Sequence, residues 1–221
     1  QSVEPASAPA RDVMNAGLRE GFYVRRGKRA LDLVLCLLAL PVAGPLIVLF
    51  SLLARLDGGP GFYGQARVGR GGRLFKCWKI RTMIVDADAR LDDYLASNPA
   101  ARREWDVAQK LRHDPRVTAF GAFLRTTSLD ELPQLWNILV GDMSFVGPRP
   151  FTPLQTDIYN GISYYALRPG LTGSWQVGAR NDDSFATRAI HDSTYARRVS
   201  LWLDLGILMR TARVVFERTG R

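Results

Sequence analysis

LVLCLLALPVAGPLIVLFSLLA (Leu33–Ala54) is 22 residues long, carries no charge, and is interrupted in its middle by Pro41, Gly44 and Pro45. About 20 apolar residues in a helix span a bilayer core, so length alone suggests a crossing. The breakers argue against a straight one. A proline inside a helix removes a backbone donor, clashes with the preceding turn and costs about 3 kcal/mol. The flanks add a second argument. Arg19, Arg25, Arg26, Lys28 and Arg29 precede the run; Arg55, Arg67, Arg70 and Arg73 follow it. An excess of Lys and Arg marks the cytoplasmic side of a membrane, and five charges against four give both ends the same preference. A helix that enters, bends at Gly44-Pro45 and returns satisfies that preference. The expectation is therefore a re-entrant, helix-break-helix anchor over residues 25–57 with both ends cytoplasmic. An ordinary single span and a buried hairpin of a soluble protein are the alternatives. A cleaved signal peptide fits poorly, because the run starts about thirty residues into the chain and no clean small-residue cleavage site follows.

The 221 residues accommodate one domain beside the anchor. The net charge of +9 favours anionic partners, whether nucleic acid, acidic lipid headgroups or phosphorylated substrates. Cys36 and Cys77 suggest no disulfide framework. His113 and His191 are the only histidines, which excludes a multi-histidine metal centre. Any metal here is a hard cation held by carboxylates, phosphates and water. Gln1 stands where an initiator methionine would be, read as a truncated or processed start.

Residues 1–24 are rich in Ala, Ser and Pro and read as a flexible segment. Beyond the anchor, Asp57-Gly58-Gly59-Pro60-Gly61 is a turn signal. Phe62–Arg67 and Leu74–Thr82 read as strands of a hairpin around Gly69-Arg70-Gly71-Gly72. Period two places Phe75, Cys77, Lys79 and Arg81 on one face of the second strand, where the two cations also suit plain snorkelling surface residues. Asp86–Asn98 and Ala100–Leu111 read as two charged helices divided by Pro99, a peripheral insertion over 86–112. Ser128–Val140 reads as a helix start with an apolar face, 147–180 as loop, and Val199–Phe216 as a final amphipathic helix for the core or the membrane interface. The fold class is α+β, mostly helical: a membrane-associated domain (58–221) with an N-terminal re-entrant anchor, a small β-hairpin and a C-terminal amphipathic helix.

Ser128-Leu129-Asp130-Glu131-Leu132-Pro133 is the sharpest chemical candidate. Ser-x-x-Glu is also a capping box, and acids in a first helical turn are stabilised by the helix dipole. Pro133 modifies that reading: a start nearer Asp130 puts the proline in the tolerated first turn. Asp130 then lies at a positive helix end, ionised and able to act as nucleophile or metal ligand. Arg149, Arg168 and Arg180 each sit among Gly or Pro, frames that fix a loop and aim a guanidinium fork at phosphate oxygens. With Lys79, Arg81 and Arg125 they point to a phosphate-rich substrate. The glycines at 69, 71 and 72 are read as a hairpin turn, because no helix pattern follows them.

These residues carry a resemblance. Lys28-Arg29, Gly44-Pro45, FKCWKIRTM (75–83), Leu124-Arg125, SLDELPQLWN (128–137), GDMSFVGPRP (141–150) and RPGLTGSWQVGAR (168–180) occur in the order found in the bacterial sugar transferase family. The chain resembles its monotopic phosphoglycosyl transferases, and the region around Asn181-Asp182 and Ser184–Arg188 resembles the exopolysaccharide-initiating galactose/glucose branch. The resemblance implies a UDP-hexose donor, Mg2+, an undecaprenyl phosphate acceptor and release of UMP. It places the catalytic and metal-binding acid pair on Asp130 and Glu131, with Asp130 forming a covalent phosphosugar intermediate. It implies phosphate contacts from Lys79, Arg81, Arg125, Arg149 and Arg168, with Gln176 and Arg180 nearby. It also implies the cytoplasmic face of the bacterial inner membrane, where the basic flank draws in anionic lipid. Many members have Ser-Pro at the bend where this chain has Gly44-Pro45, and Pro41 is a second breaker.

A membrane-tethered nucleic-acid-binding protein and a catalytically silent scaffold for polysaccharide assembly are the rival readings. Single arginines in rigid turns, with no groove-reading motif, argue against nucleic acid. The intact Asp130-Glu131 pair argues against the scaffold. The apolar final helix offers a face for a homodimer. No residue in the sequence separates galactose from glucose.

Overall fold

The computed structural model describes residues 21–108, 111, 113–178 and 188–216, so the expectation of a flexible segment over residues 1–24 falls almost wholly outside it. The apolar run forms one helix, α1 (Lys28–Ala54), entered from a π-helical turn at Tyr23–Gly27. Among the described residues it alone is long and apolar enough to cross a membrane. Helical geometry continues through Pro41 and Pro45, where a break was expected. Neither proline has an N–H, so the carbonyls of Leu37 and Pro41 lose their helical donors. Both residues are exposed, which puts the two unpaired carbonyls on the flank away from the domain.

The other flank is covered from end to end. Lys28, Asp32, Cys36, Ala43, Ser51 and Ala54 are buried, at spacings that hold them to one helical face. Asp32 accepts hydrogen bonds from Ser144 Oγ and the Phe145 N–H, both at 2.9 Å. The Cys36 thiol reaches the Leu135 carbonyl, and Cys36 and Ala43 share a core cluster with Cys77, Leu135, Ile138 and Met143. Val34, Leu37, Leu38, Val42, Leu49 and Leu52 face outward.

The hairpin is β1 (Phe62–Val68) and β2 (Leu74–Ile80), antiparallel with Gln65 opposite Cys77. Its turn uses Gly71 at φ 68, a left-handed conformation that a side chain would strain. The insertion is α2 (Ala87–Ser97) and α3 (Pro99–Ala108). Pro99 opens α3 instead of separating the helices, a position where its missing N–H costs nothing. Leu91, Leu95, Ala101 and Leu111 give this pair a small core of its own.

The next helix, α4 (Ala119–Thr127), has a Thr118 cap whose hydroxyl accepts from the Gly121 N–H at 2.8 Å. Then come α5 (Gln134–Val140), β3 (Ser144–Val146), α6 (Ser163–Ala166), β4 (Gly170–Thr172), α7 (Ser174–Val177), α8 (Arg188–Arg198) and α9 (Leu201–Phe216). The stretch expected as loop (147–180) thus contains β4 and two short helices, and β4 pairs in parallel with β3 just ahead of it, with Ser144 opposite Gly170 and Val146 opposite Thr172. Gly170 makes the approach possible: a Cβ there would lie 2.1 Å from the Gly147 nitrogen. Phe151, Tyr159, Tyr164 and Tyr165 pack as an aromatic cluster beside it, with the Phe151 and Tyr164 rings 4.4 Å apart. The final helix is amphipathic as expected. Asp204 is fully buried, while Trp202 and Met209 are 80% and 70% exposed.

Candidate active site

The acid pair is presented by a turn that the capping-box reading does not describe. Ser128 adopts φ 58, ψ 17 and closes α4, its N–H donating to the Arg125 carbonyl at 3.2 Å. It therefore ends one helix and does not cap the next. A 3-10 turn over Leu129–Glu131 follows, and Pro133 sits at the N-cap of α5, where no backbone donor is lost. The left-handed conformation costs a non-glycine residue about 1–2 kcal/mol. Ser128→Gly is accordingly expected to leave stability unchanged or raise it by up to about 1 kcal/mol. Ser128→Val is expected to lower it by at least about 1–2 kcal/mol, with urea midpoints as the readout.

Asp130 is 6% exposed. Lys79, on β2, reaches both acids: its Nζ lies 2.7 Å from Glu131 Oε1 and 3.4 Å from Asp130 Oδ2. Burial pushes the Asp130 carboxyl above its ordinary value; the Glu131 charge adds to the rise and Lys79 opposes it. Burial pulls the Lys79 ammonium down, but the two carboxylates outweigh it and hold its pKa above the ordinary lysine range. Around Lys79 and Glu131 the pocket is lined by Arg67, Cys77, Gln134, Arg149, Pro150, Gly170 and Leu171. Arg67 is set by donating to the Pro150 carbonyl at 3.1 Å and to Gln65 Oε1 at 2.6 Å.

The cations named from the sequence divide into two groups. Lys79 and Arg149 line the pocket. Arg125 donates to Thr82 Oγ1 at 2.8 Å and lies close enough to Asp130 for its charge to act on it. Arg81 does not face the pocket. Its five N–H groups are committed to the carbonyls of Pro60, Met83 and Ala54 and to both oxygens of Asp57. It clamps the end of α1 to β2, so the phosphate-binding expectation gives way to a structural one. Arg81→Ala is expected to lower stability by about 2–3 kcal/mol, read from urea denaturation, as the carbonyls it holds lose their donors. Arg168 lies at the far end of α5, donating from Nε to the Gly141 carbonyl at 2.8 Å. Arg29 caps the same end through the carbonyls of Ile138 and Leu139. Both cations stabilise the negative pole of a helix whose positive pole holds the acids.

Gln176 is buried on α7, and neither its Oε1 nor its Nε2 has a partner. Arg180 and the segment 181–187 lie outside the described residues. Arg67, Cys77 and Gln134 are pocket residues to which the sequence assigned no role. The signal for Gln134 was its spacing, three residues after Glu131 in a helix start; Arg67, at the end of a strand, had none.

Among the described residues no group of three or more His, Cys, Asp or Glu gathers to hold a metal. Asp130 and Glu131 do converge on a single cation, the Lys79 ammonium. Two hard carboxylates fit Mg2+, which commonly uses one or two of them and takes substrate phosphates and water for the rest.

An acid pair over a lysine, an arginine-lined pocket and a long apolar helix packed along the domain fit a protein equipped for phosphate chemistry. The chain belongs to the bacterial sugar transferase family, whose model matches residues 23–218. It is 47% identical over 195 residues to an undecaprenyl-phosphate galactose phosphotransferase of Salmonella typhimurium, covering 87% of this chain and 41% of that protein. It is 47% identical over 196 residues to the exopolysaccharide production protein ExoY of Sinorhizobium fredii, covering 87% of each. A UDP-glucose:undecaprenyl-phosphate glucose-1-phosphate transferase of Caulobacter vibrioides is 40% identical over 195 residues, 83% of this chain and 67% of that protein. The chain thus spans well under half the length of some relatives and most of the length of others.

Proposed function

We propose that this protein transfers hexose-1-phosphate from a UDP-hexose, galactose or glucose, to undecaprenyl phosphate and releases UMP, the first membrane step of exopolysaccharide assembly. The carrying observation is the buried Asp130 carboxylate, which shares the Lys79 ammonium with Glu131, at the edge of a pocket that Lys79, Glu131, Arg67 and Arg149 line. The relatives' names supply the substrates. An Asp130 oxygen attacks the sugar-linked phosphorus of the donor, the bond to the bridging oxygen breaks, and UMP leaves with that oxygen. An oxygen of the lipid phosphate then attacks the same phosphorus and frees the aspartate. A carboxylate nucleophile divides one phosphoryl transfer into two steps. Lys79, Arg67 and Arg149 hold phosphate oxygens, and Arg125 adds positive potential at Asp130. Glu131 positions Lys79 and, with Asp130, would hold Mg2+, which offsets charge developing on the phosphate oxygens.

The covered flank of α1 supports a one-leaflet anchor at the cytoplasmic face of the inner membrane. The helix has 27 residues and is about 40 Å long. Partners from Asp204 at one end to Arg81 at the other run along it. A crossing helix would leave about 30 Å of that length in hydrocarbon, which a domain carrying Lys79 and Arg81 cannot share. The exposed leucine face lies in lipid, and the basic flank meets anionic headgroups. Cysteines placed at Glu20 and Pro60 are expected to label from the same, cytoplasmic, side; labelling from opposite sides would defeat the one-leaflet anchor.

The direct test is UMP release from a panel of UDP-sugars by nanodisc-held protein with Mg2+, with and without undecaprenyl phosphate. Turnover that depends on the lipid and on one hexose supports the reading. A folded protein releasing no UMP from any donor overturns it.

A further inference from the structure

The pocket contains one neutral amide that has no assigned use. Gln134 opens α5, is 3% exposed, and lines the pocket between Glu131 and Gly170. Among the described residues its side chain makes no hydrogen bond to the protein, although such an amide carries two donors and an acceptor. The cavity has cations to spare for phosphate in Arg67, Lys79 and Arg149. Phosphate oxygens only accept, so a phosphate on Gln134 would leave Oε1 facing negative charge. The Gly170 N–H is already committed to the Pro148 carbonyl, and the Cys77 thiol is a weak donor. The group that complements Gln134 both donates and accepts while carrying no charge. A sugar hydroxyl does both, and the hexose of the proposed donor is bonded directly to the phosphate that Asp130 attacks.

We propose that Gln134 reads a hydroxyl of the transferred hexose and is a specificity-determining residue of this enzyme. The inference rests on the UDP-hexose reading above and goes beyond it by naming a residue that contacts the hexose itself and senses the loss of one of its hydroxyls. A site built to hydrogen-bond a substrate hydroxyl discriminates strongly against an analogue lacking it, because its buried polar group is left unpaired. The three cations tolerate any sugar, so discrimination falls to this amide.

The experiment measures kcat/KM for UMP release from the preferred UDP-hexose and from its singly deoxygenated analogues, in wild type and in Gln134→Met, a variant of similar size without the amide. In wild type one deoxy donor is expected to lose at least about tenfold. In Gln134→Met the parent donor falls by a similar factor, that deoxy donor changes little, and the difference between them disappears. The inhibition constant of UMP, which has no hexose, stays within about twofold. A deoxy penalty of the same size in both proteins, or UMP inhibition weakened along with donor use, overturns the proposal. So does a wild type that uses every deoxy donor within about twofold of the parent. Should Gln134→Met not fold, Gln134→Leu, which also lacks donor and acceptor, takes its place and must abolish the same penalty. Wild type releasing no UMP from any UDP-hexose would instead be a failure of the parent reading.

Discussion

Asp130→Asn is expected to abolish UMP release, lowering kcat/KM by at least about 10³-fold, because the amide keeps the shape and loses the nucleophile. The loss is expected to extend to any burst of UMP formed before lipid is added, because the proposed two-step transfer makes that burst its first half. Folding should survive. Glu131 retains Lys79 at 2.7 Å, and removing the buried Asp130 charge relieves its repulsion with Glu131. The pH dependence follows from the same burial. The Asp130 carboxyl is raised above its ordinary value of 3.8, so the acid limb of kcat/KM lies higher than for an exposed aspartate. Below that limb Asp130 is protonated and transfer stops. With the folded value above the unfolded one, this group's contribution to stability is complete below the unfolded pKa and is lost as pH rises through the folded pKa. At neutral pH the ionised site therefore weakens the fold, and Asp130→Asn should melt no lower than wild type. A folded variant that turns over normally would remove Asp130 from the centre of the reaction.

The sequence disclosed the parts of this site that have local causes. The long apolar helix is legible because a run of 22 residues without a charge is too long and too apolar for a surface element, and the hairpin because Gly71 and its neighbours supply a turn between two apolar runs. The acid pair is legible through Pro133, which moves the helix start away from Ser128. The arginines were harder for a physical reason. A guanidinium fork matches the carbonyls at a helix end as well as it matches a phosphate, and local sequence does not reveal which one it will meet. Arg81 meets the end of α1 at Ala54 and Arg168 the end of α5 at Gly141, both 27 residues away in sequence. Only the folded chain brings those carbonyls within reach. The parallel pair β3–β4 escaped notice because two three-residue strands set among Gly and Pro leave no periodicity to read. Arg67 lies in a regular strand, and nothing in a strand's own pattern says that a pocket will open beside it.

The largest expected effect on stability lies where the start of α1 meets α9. Asp204 is wholly buried and accepts from Lys28 Nζ, Tyr23 Oη and Tyr195 Oη, each at 2.6 Å. The Lys28 and Asp204 side chains are 11% and 1% exposed, so the pair is a desolvated ion pair with its remaining lone pairs satisfied by two phenols. Removing one member of such a pair is worse than never having had it, because the other charge stays buried without compensation. Asp204→Ala is expected to cost about 3–5 kcal/mol on that account. For a chain of this size that is a fall in Tm of about 10 °C or more. The site loses its support as well: α9 packs on β3 and β4, which carry Gly170 and Leu171 of the pocket. The double variant Lys28→Met/Asp204→Leu separates charge from packing. Replacing a buried pair with apolar side chains of similar volume is often neutral or stabilising, so the double variant should recover most of the loss. Thermal unfolding in detergent of wild type, Asp204→Ala and the double variant decides the matter. A single variant within about 1 kcal/mol of wild type would mean that water reaches Lys28, and that α1 is held to the domain by its apolar face alone.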